Sequence, residues 1–135
     1  MEVRFLLDTN VFIHIRQRRP PAVLARFNRL KAGEAAISVI TYGELLYGVE
    51  KSRLREQAFR ELTELVSLLP VLALPVQAGT NYGTIRAALE AKGEIIGNND
   101  LWIAAHAKAA ELILVTNNEQ EFRRITGLKM QNWVE

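Results

Sequence analysis

The chain has 135 residues, 49% of them apolar, with a formal net charge of +2, which suits one domain with one core over residues 1–135. It has no cysteine, which excludes disulfides and zinc–thiolate sites. Its longest apolar run, VSLLPVLALPV, is broken by Pro70 and Pro75 and cannot cross a membrane.

The opening MEVRFLLDTN lacks the charged-then-apolar profile of a secretion signal, so a cytoplasmic protein without membrane contact is expected. The isoelectric point is about 9.2. Basic residues gather at Arg16, Arg18 and Arg19, at Arg26, Arg29 and Lys31, and at Arg123, Arg124 and Lys129. Such groups attract phosphate. They are equally the charges of solvated helix faces.

In chain order, VRFLLD is a short apolar run ending in a polar turn, the pattern of a buried parallel strand. PPAVLARFNRLKAG predicts a helix with prolines at its start and Gly33 at its end. EAAISVIT predicts a second strand ending at Thr41. YGELLYGVEKS and RLREQAFRELTELVSLL predict two helices joined near Ser52, the second stopped by Pro70. VLALPV is a third strand, AGTNYGTIRAALEAKG a helix ended by Gly93, and DLWIAAHAKAAEL another helix. LILVTN is a fourth strand, NEQEFRRITG a short helix, and LKMQNWV a fifth strand at an edge. Alternating strands and helices predict an α/β fold, with a mostly parallel central sheet of about five strands flanked by helices.

Ligands of such sheets bind beyond the carboxyl ends of the strands. Asp8, Thr9 and Asn10 follow the first strand. Glu44 lies just after the second. Thr116, Asn117, Asn118, Glu119 and Glu121 follow the fourth, and Asp100 opens the helix that leads into it. Each acid has a local explanation. Thr41 to Glu44 spells a capping box, and Asn118 with Glu121 repeats its spacing. Asn98 or Asn99 suits an N-cap with Asp100 favouring the helix dipole. Asp8 suits an Asx-turn. Together the acids point elsewhere. Carboxylates from separate segments at one sheet edge repel unless a cation joins them, and all-oxygen ligands select Mg²⁺, with Mn²⁺ as a substitute. One or two such ions activate water and stabilise in-line phosphodiester hydrolysis.

His14 and His106 have no histidine partner at ligand spacing and are expected to be structural. Ser38 and Ser52 lack a nucleophile-elbow context, and no phosphate-binding glycine motif occurs. A dehalogenase-type phosphatase needs D-x-D, whereas position 10 is Asn.

Four segments then resemble the PIN-domain ribonucleases, specifically VapC-type toxins of toxin–antitoxin pairs, over roughly Val3 to Val134. LLDTNVFI is similar to the family's opening strand with acid Asp8, and SVITYGELLYGVEKS to its second motif with Glu44. GEIIGNNDLWIAAHA resembles the third motif with Asp100, and LILVTNNEQEF through GLKMQNW the closing segments. The resemblance implies a single PIN-like domain and a metal-dependent endoribonuclease. Asp8, Glu44 and Asp100 would be the principal Mg²⁺ ligands, with Glu121 as fourth acid. Thr9, Asn10 and Thr116 would orient carboxylates or contact substrate. Many relatives have an aspartate where this chain has Asn118. The fourth ligand therefore stays open between Glu121, the Asn118 carbonyl, or either through water. The resemblance further implies a tRNA or rRNA substrate, a homodimer, a VapB-type antitoxin, and promoter DNA bound only through that antitoxin. A degenerate PIN domain that binds RNA or protein without cleavage, and a metal-dependent DNA nuclease, are the alternatives.

Overall fold

A computed structural model describes residues 2–134 of the chain. Its organising element is β1 (Phe5–Leu7), three apolar residues buried on both faces. In chain order there follow α1 (Thr9–Gln17), α2 (Pro21–Asn28), β2 (Ala35–Ser38), α3 (Val39–Lys51), α4 (Arg55–Val66), β3 (Val71–Leu72) and α5 (Val76–Lys92). The chain continues with α6 (Asn98–Ala109), β4 (Ile113–Val115), α7 (Glu119–Phe122) and β5 (Met130–Gln131). The five strands pair in parallel in the order β3-β2-β1-β4-β5. Leu6 sits opposite Ala36 on one side and Leu114 on the other. The parallel α/β sheet matches the expectation, and the LKMQNWV segment does supply the edge strand.

Side chains alternate across a strand, so β1 feeds two cores. Phe5 and Leu7 join Phe12, Val23, Ile37, Leu45, Leu62 and Trp133 under α1 to α4. Leu6 joins Ile85, Leu89, Leu101, Ile103, Leu114 and Phe122 under α5 to α7. Burying each of these large apolar side chains contributes roughly 1.5–3 kcal/mol. Trp133 meets Phe5 edge-on at 5.6 Å and donates its Nε1 hydrogen to Gln131 Oε1 at 3.1 Å, which anchors the outer strand to the core.

Two local expectations need correction, and one helix falls where no element was expected. TNVFIHIRQ forms α1, a helix not expected from its sequence. Val11, Ile13 and Ile15 are β-branched and favour strands locally. Burial of Val11, Phe12 and Ile15, together with the Asp8 carboxylate accepting the Val11 N–H at 2.9 Å, overrides that preference. The second strand ends at Ser38 rather than Thr41. The Ser38 hydroxyl accepts the Ile40 N–H at 3.1 Å and starts α3 there. Thr41 consequently lies inside the helix, and the Thr41–Glu44 capping box does not form. The third strand is only two residues long, because Pro75 already stands at the N-cap of α5.

Ser38 also reaches across to another helix, where its Oγ lies 2.9 Å from Nδ1 of the buried His106. Burial pushes the His106 pKa down, so the imidazole stays neutral and belongs to the core, as expected. Ser38→Ala removes a helix cap and strands that ring nitrogen. It should lower unfolding free energy by about 2–3 kcal/mol in denaturant titration. A loss below about 0.5 kcal/mol would show that neither contact stabilises the fold.

Candidate metal centre

Strands diverge in connection order on either side of β1, whose neighbours are β2 and β4. A parallel sheet opens a crevice at such a switch point, beyond the carboxyl ends of its strands. Asp8 stands there. Its backbone N–H donates to Val115 O at 3.0 Å, and the residue is only 4% exposed. It is the N-cap of α1, not merely an Asx-turn residue. Burial raises the Asp8 pKa, and the Glu44 charge adds to this. Hydrogen bonding to Thr116 and the Val11 N–H, and the nearby His14, oppose the rise.

Glu44 occupies the second turn of α3 and is half-buried. The Thr9 hydroxyl donates to its Oε1 at 2.7 Å. Thr9 Oγ1 also lies 3.1 Å from the hydroxyl of buried Thr41. Thr9 has one hydroxyl hydrogen, and the shorter, charge-assisted contact takes it. The helix that displaced the expected capping box thus places Thr41 to back the orienting residue.

Asp100 is the third residue of α6. The N-cap is Gly97, with no side-chain cap, rather than Asn98 or Asn99. Asn98 is engaged sideways: it accepts a hydrogen bond from the Tyr82 hydroxyl, and Tyr82 stacks on Trp102 with ring centroids 3.9 Å apart. This brace ties the first turn of α6 to α5. Its signal in the sequence is only an aromatic pair on separate helices. The Asp100 pKa is pushed up to about 6, first by burial and then by Asp8, Glu121 and Glu44.

Glu121 lies in α7, where Asn118 Nδ2 donates to its Oε2 at 2.8 Å. The Asn118 N–H in turn donates to Thr116 Oγ1 at 2.9 Å. Asn118 and Glu121 are therefore partners, but side chain to side chain and not as a capping box. Glu119 points elsewhere, accepting from Asn132 Nδ2 at 3.2 Å. Asn10 is exposed and joins none of these hydrogen bonds. His14 is half-buried, and its Nδ1 has no hydrogen-bond partner.

The structure thus brings Asp8, Glu44 and Glu121 within electrostatic reach of Asp100. It does not close them on a point: among the described residues, no three His, Asp or Glu side chains form a ready-made ligand set. That geometry fits a hard cation all the same. Mg²⁺ takes one or two carboxylates and retains several waters, so it needs no all-protein cage. The donors are all oxygen, and after burial the neighbouring Asp8, Glu121 and Glu44 charges add to the rise in the Asp100 pKa, a repulsion that a cation would relieve.

Comparison with known proteins identifies the family of the fold. The PIN domain family model matches residues 5–128. The chain is 42% identical over 132 residues to ribonuclease VapC2 of Haemophilus influenzae, covering 98% of this chain and 99% of that protein. It is 41% identical over 131 residues to the tRNA(fMet)-specific endonuclease VapC of Shigella flexneri, covering 97% and 98%. Among solved structures, it is similar to a chain of VapBC2 from Rickettsia felis bound to a DNA fragment from their promoter. The TM-score is 0.89 at 40% identity, covering 98% of this chain and 99% of that one.

The folded Asp100 pKa of about 6 lies above the ordinary value of 3.8. The folded state therefore binds more protons between those values, and stability falls as pH rises through that window. Without divalent cations, Asp100→Asn should stabilise the protein at pH 8 by about 1 kcal/mol, a figure discounted for the half-exposed side chain. The gain should vanish near pH 4. Thermal melts in chelator across this range measure it, and a wild type more stable than the variant at pH 8 contradicts the repulsion.

Proposed function

The chain belongs to the PIN-domain family, among the VapC ribonucleases, and from that membership we propose a Mg²⁺-dependent endoribonuclease that cuts a structured RNA. The observation that carries the metal dependence is the convergence of four carboxylates, three of which add to the rise that burial imposes on the Asp100 pKa. Asp8 and Asp100 would contact the ion directly, Mn²⁺ being able to replace Mg²⁺. Glu44 would complete the principal set, from the orientation that Thr9 imposes. For the fourth acid, the Asn118–Glu121 bond favours Glu121 acting directly or through water. Asn118 holds it, and the Asn118 carbonyl stays available on the other side of the amide.

Lewis-acid polarisation of the phosphodiester and acidification of the attacking water are what the cation supplies when bound. The chain's own residues do the rest. Thr116 and the Val11 N–H hydrogen-bond the Asp8 carboxylate and oppose the rise that burial imposes on its pKa. Thr9 fixes the Glu44 carboxylate, so less reorganisation is needed as the substrate arrives. Asp100 must lose its proton to act as a ligand, so cation affinity rises with pH up to and through about 6. Asn10, exposed two residues after Asp8, would meet the RNA.

Transfer RNA is the favoured substrate over ribosomal RNA, because the Shigella relative is named for it at 41% identity. For the biological role, the relatives support a toxin neutralised by a VapB-type antitoxin that also carries the promoter contact, and to this we add a cytoplasmic location and a homodimer. Solved relatives are VapBC complexes, and one is bound to promoter DNA. No helix among the described residues is long and apolar enough to cross a membrane.

Labelled tRNA incubated with the purified protein and Mg²⁺ should be cut, and chelator should stop the cut. Sequencing the fragments locates the bond. Asp8→Asn and Asp100→Asn should each lower the rate at least about 100-fold, while Thr9→Val should cost about 10- to 100-fold. Asparagine still caps a helix, so Asp8→Asn keeps the α1 cap while changing the ligand. Both aspartate variants cutting at the wild-type rate, or cleavage of single-stranded DNA alone, would overturn the proposal.

A further inference from the structure

The acid edge opens on one side into a cleft of about 700 Å³ that shares Thr9 and Glu44 with the metal centre. Its other walls are Asn99 from α6 and Val39, Ile40, Gly43 and Tyr47 from α3. Tyr47 is 64% exposed, although a ring of that size usually finds a core or a partner. It stands three residues beyond Glu44 and four beyond Gly43, on the same face of α3. Gly43 places no side chain between the ring and the acid, and even a Cβ there would meet nothing within 4 Å.

One turn further, Lys51 holds its Nζ 5.0 Å from the Tyr47 ring centroid. Its neighbour Glu50 is already paired with Arg55 at 2.6 Å. Among the described residues, Lys51 has no carboxylate partner, so its positive charge is available to a ligand. Glu44, Tyr47 and Lys51 thus form a stripe along one helix face: acid, aromatic, cation. The stripe runs about 10 Å along the axis, at about 1.5 Å per residue. Single-stranded RNA is held by that pairing of elements, with bases on aromatic faces and phosphates on cations.

We propose that α3 is a substrate track: Tyr47 stacks on an unpaired base beside the scissile phosphate, and Lys51 neutralises a phosphate one step further from the cut. This rests on reading the acid edge as an RNA-cleaving site, and it adds where the substrate runs. It also specifies the substrate as RNA unpaired on one side of the cut. A second copy of the chain is the other occupant such a ring could serve.

The test uses the full chain carrying Asp8→Asn, which should hold RNA uncut, in Mg²⁺ with a short fluorescent single-stranded RNA read by anisotropy. Adding Tyr47→Ala should weaken Kd about 5- to 150-fold, the range for one lost base stack. Adding Tyr47→Phe instead, which keeps the ring, should restore most of the affinity. Lys51→Gln should flatten the slope of log K against log salt by about 0.7. Removing bases one at a time should reveal one position whose loss costs affinity in the parent and nothing in Tyr47→Ala. Unchanged binding by Tyr47→Ala overturns the stack. So does a halved particle mass in light scattering for Tyr47→Ala but not Tyr47→Phe, which assigns the ring to a second copy. If wild type leaves tRNA whole while Tyr47→Ala still weakens RNA binding, the stack stands and the cleavage assignment falls. A parent that binds no RNA overturns both.

Discussion

Like-charge repulsion at the carboxyl edge of the sheet is the constraint around which the site is built. Four carboxylates from four segments share that edge, and none has a cationic side chain within salt-bridge distance among the described residues. The fold tolerates this arrangement by holding three of the acids through neutral donors. Asp8 has Thr116 and a helix N-terminus, Glu44 has Thr9, and Glu121 has Asn118. Neutral hydrogen bonds orient a carboxylate without cancelling its charge, which remains for a cation. Asp100 has no such partner, and its pKa is raised first by burial and then by the other three acids.

The two-sided core explains why the edge stays put. β1 is buried on both faces, so the residue leaving it, Asp8, has almost no freedom to move away from its neighbours. Ser38 ends β2 and starts α3 in one residue, and its contact with His106 locks α3 to α6. Those two helices carry Glu44 and Asp100. A helix-capping serine and a buried histidine, neither of them in the site, therefore set the spacing of two of its acids.

Much of this is legible in the sequence, because strand ends and acids are local signals. Phe5 to Leu7 followed by Asp8, and Ile113 to Val115 followed by Thr116, announce a parallel sheet and where its ligands gather. What local signals miss is tertiary override. TNVFIHIRQ, rich in β-branched residues, carries no local helix signal, and burial of Val11, Phe12 and Ile15 makes it a helix. Thr41 looks like a cap until Ser38 starts the helix earlier, after which Thr41 becomes the support behind Thr9. Asn98 looks like a cap until Tyr82 reaches it from another helix. The partnership of Asn118 with Glu121 has the spacing of a capping box, and only side-chain geometry separates the two. Tyr47 carried no signal in the sequence beyond its place in an amphipathic helix.

Crystals soaked in Mn²⁺ and read by anomalous scattering test the central claim most directly. A peak bounded by Asp8 and Asp100, with Glu44 in direct contact or one water away, is the predicted result, and it should be lost in Asp100→Asn. At saturating Mn²⁺, an edge with no peak and the four carboxylates in their present places would contradict the account.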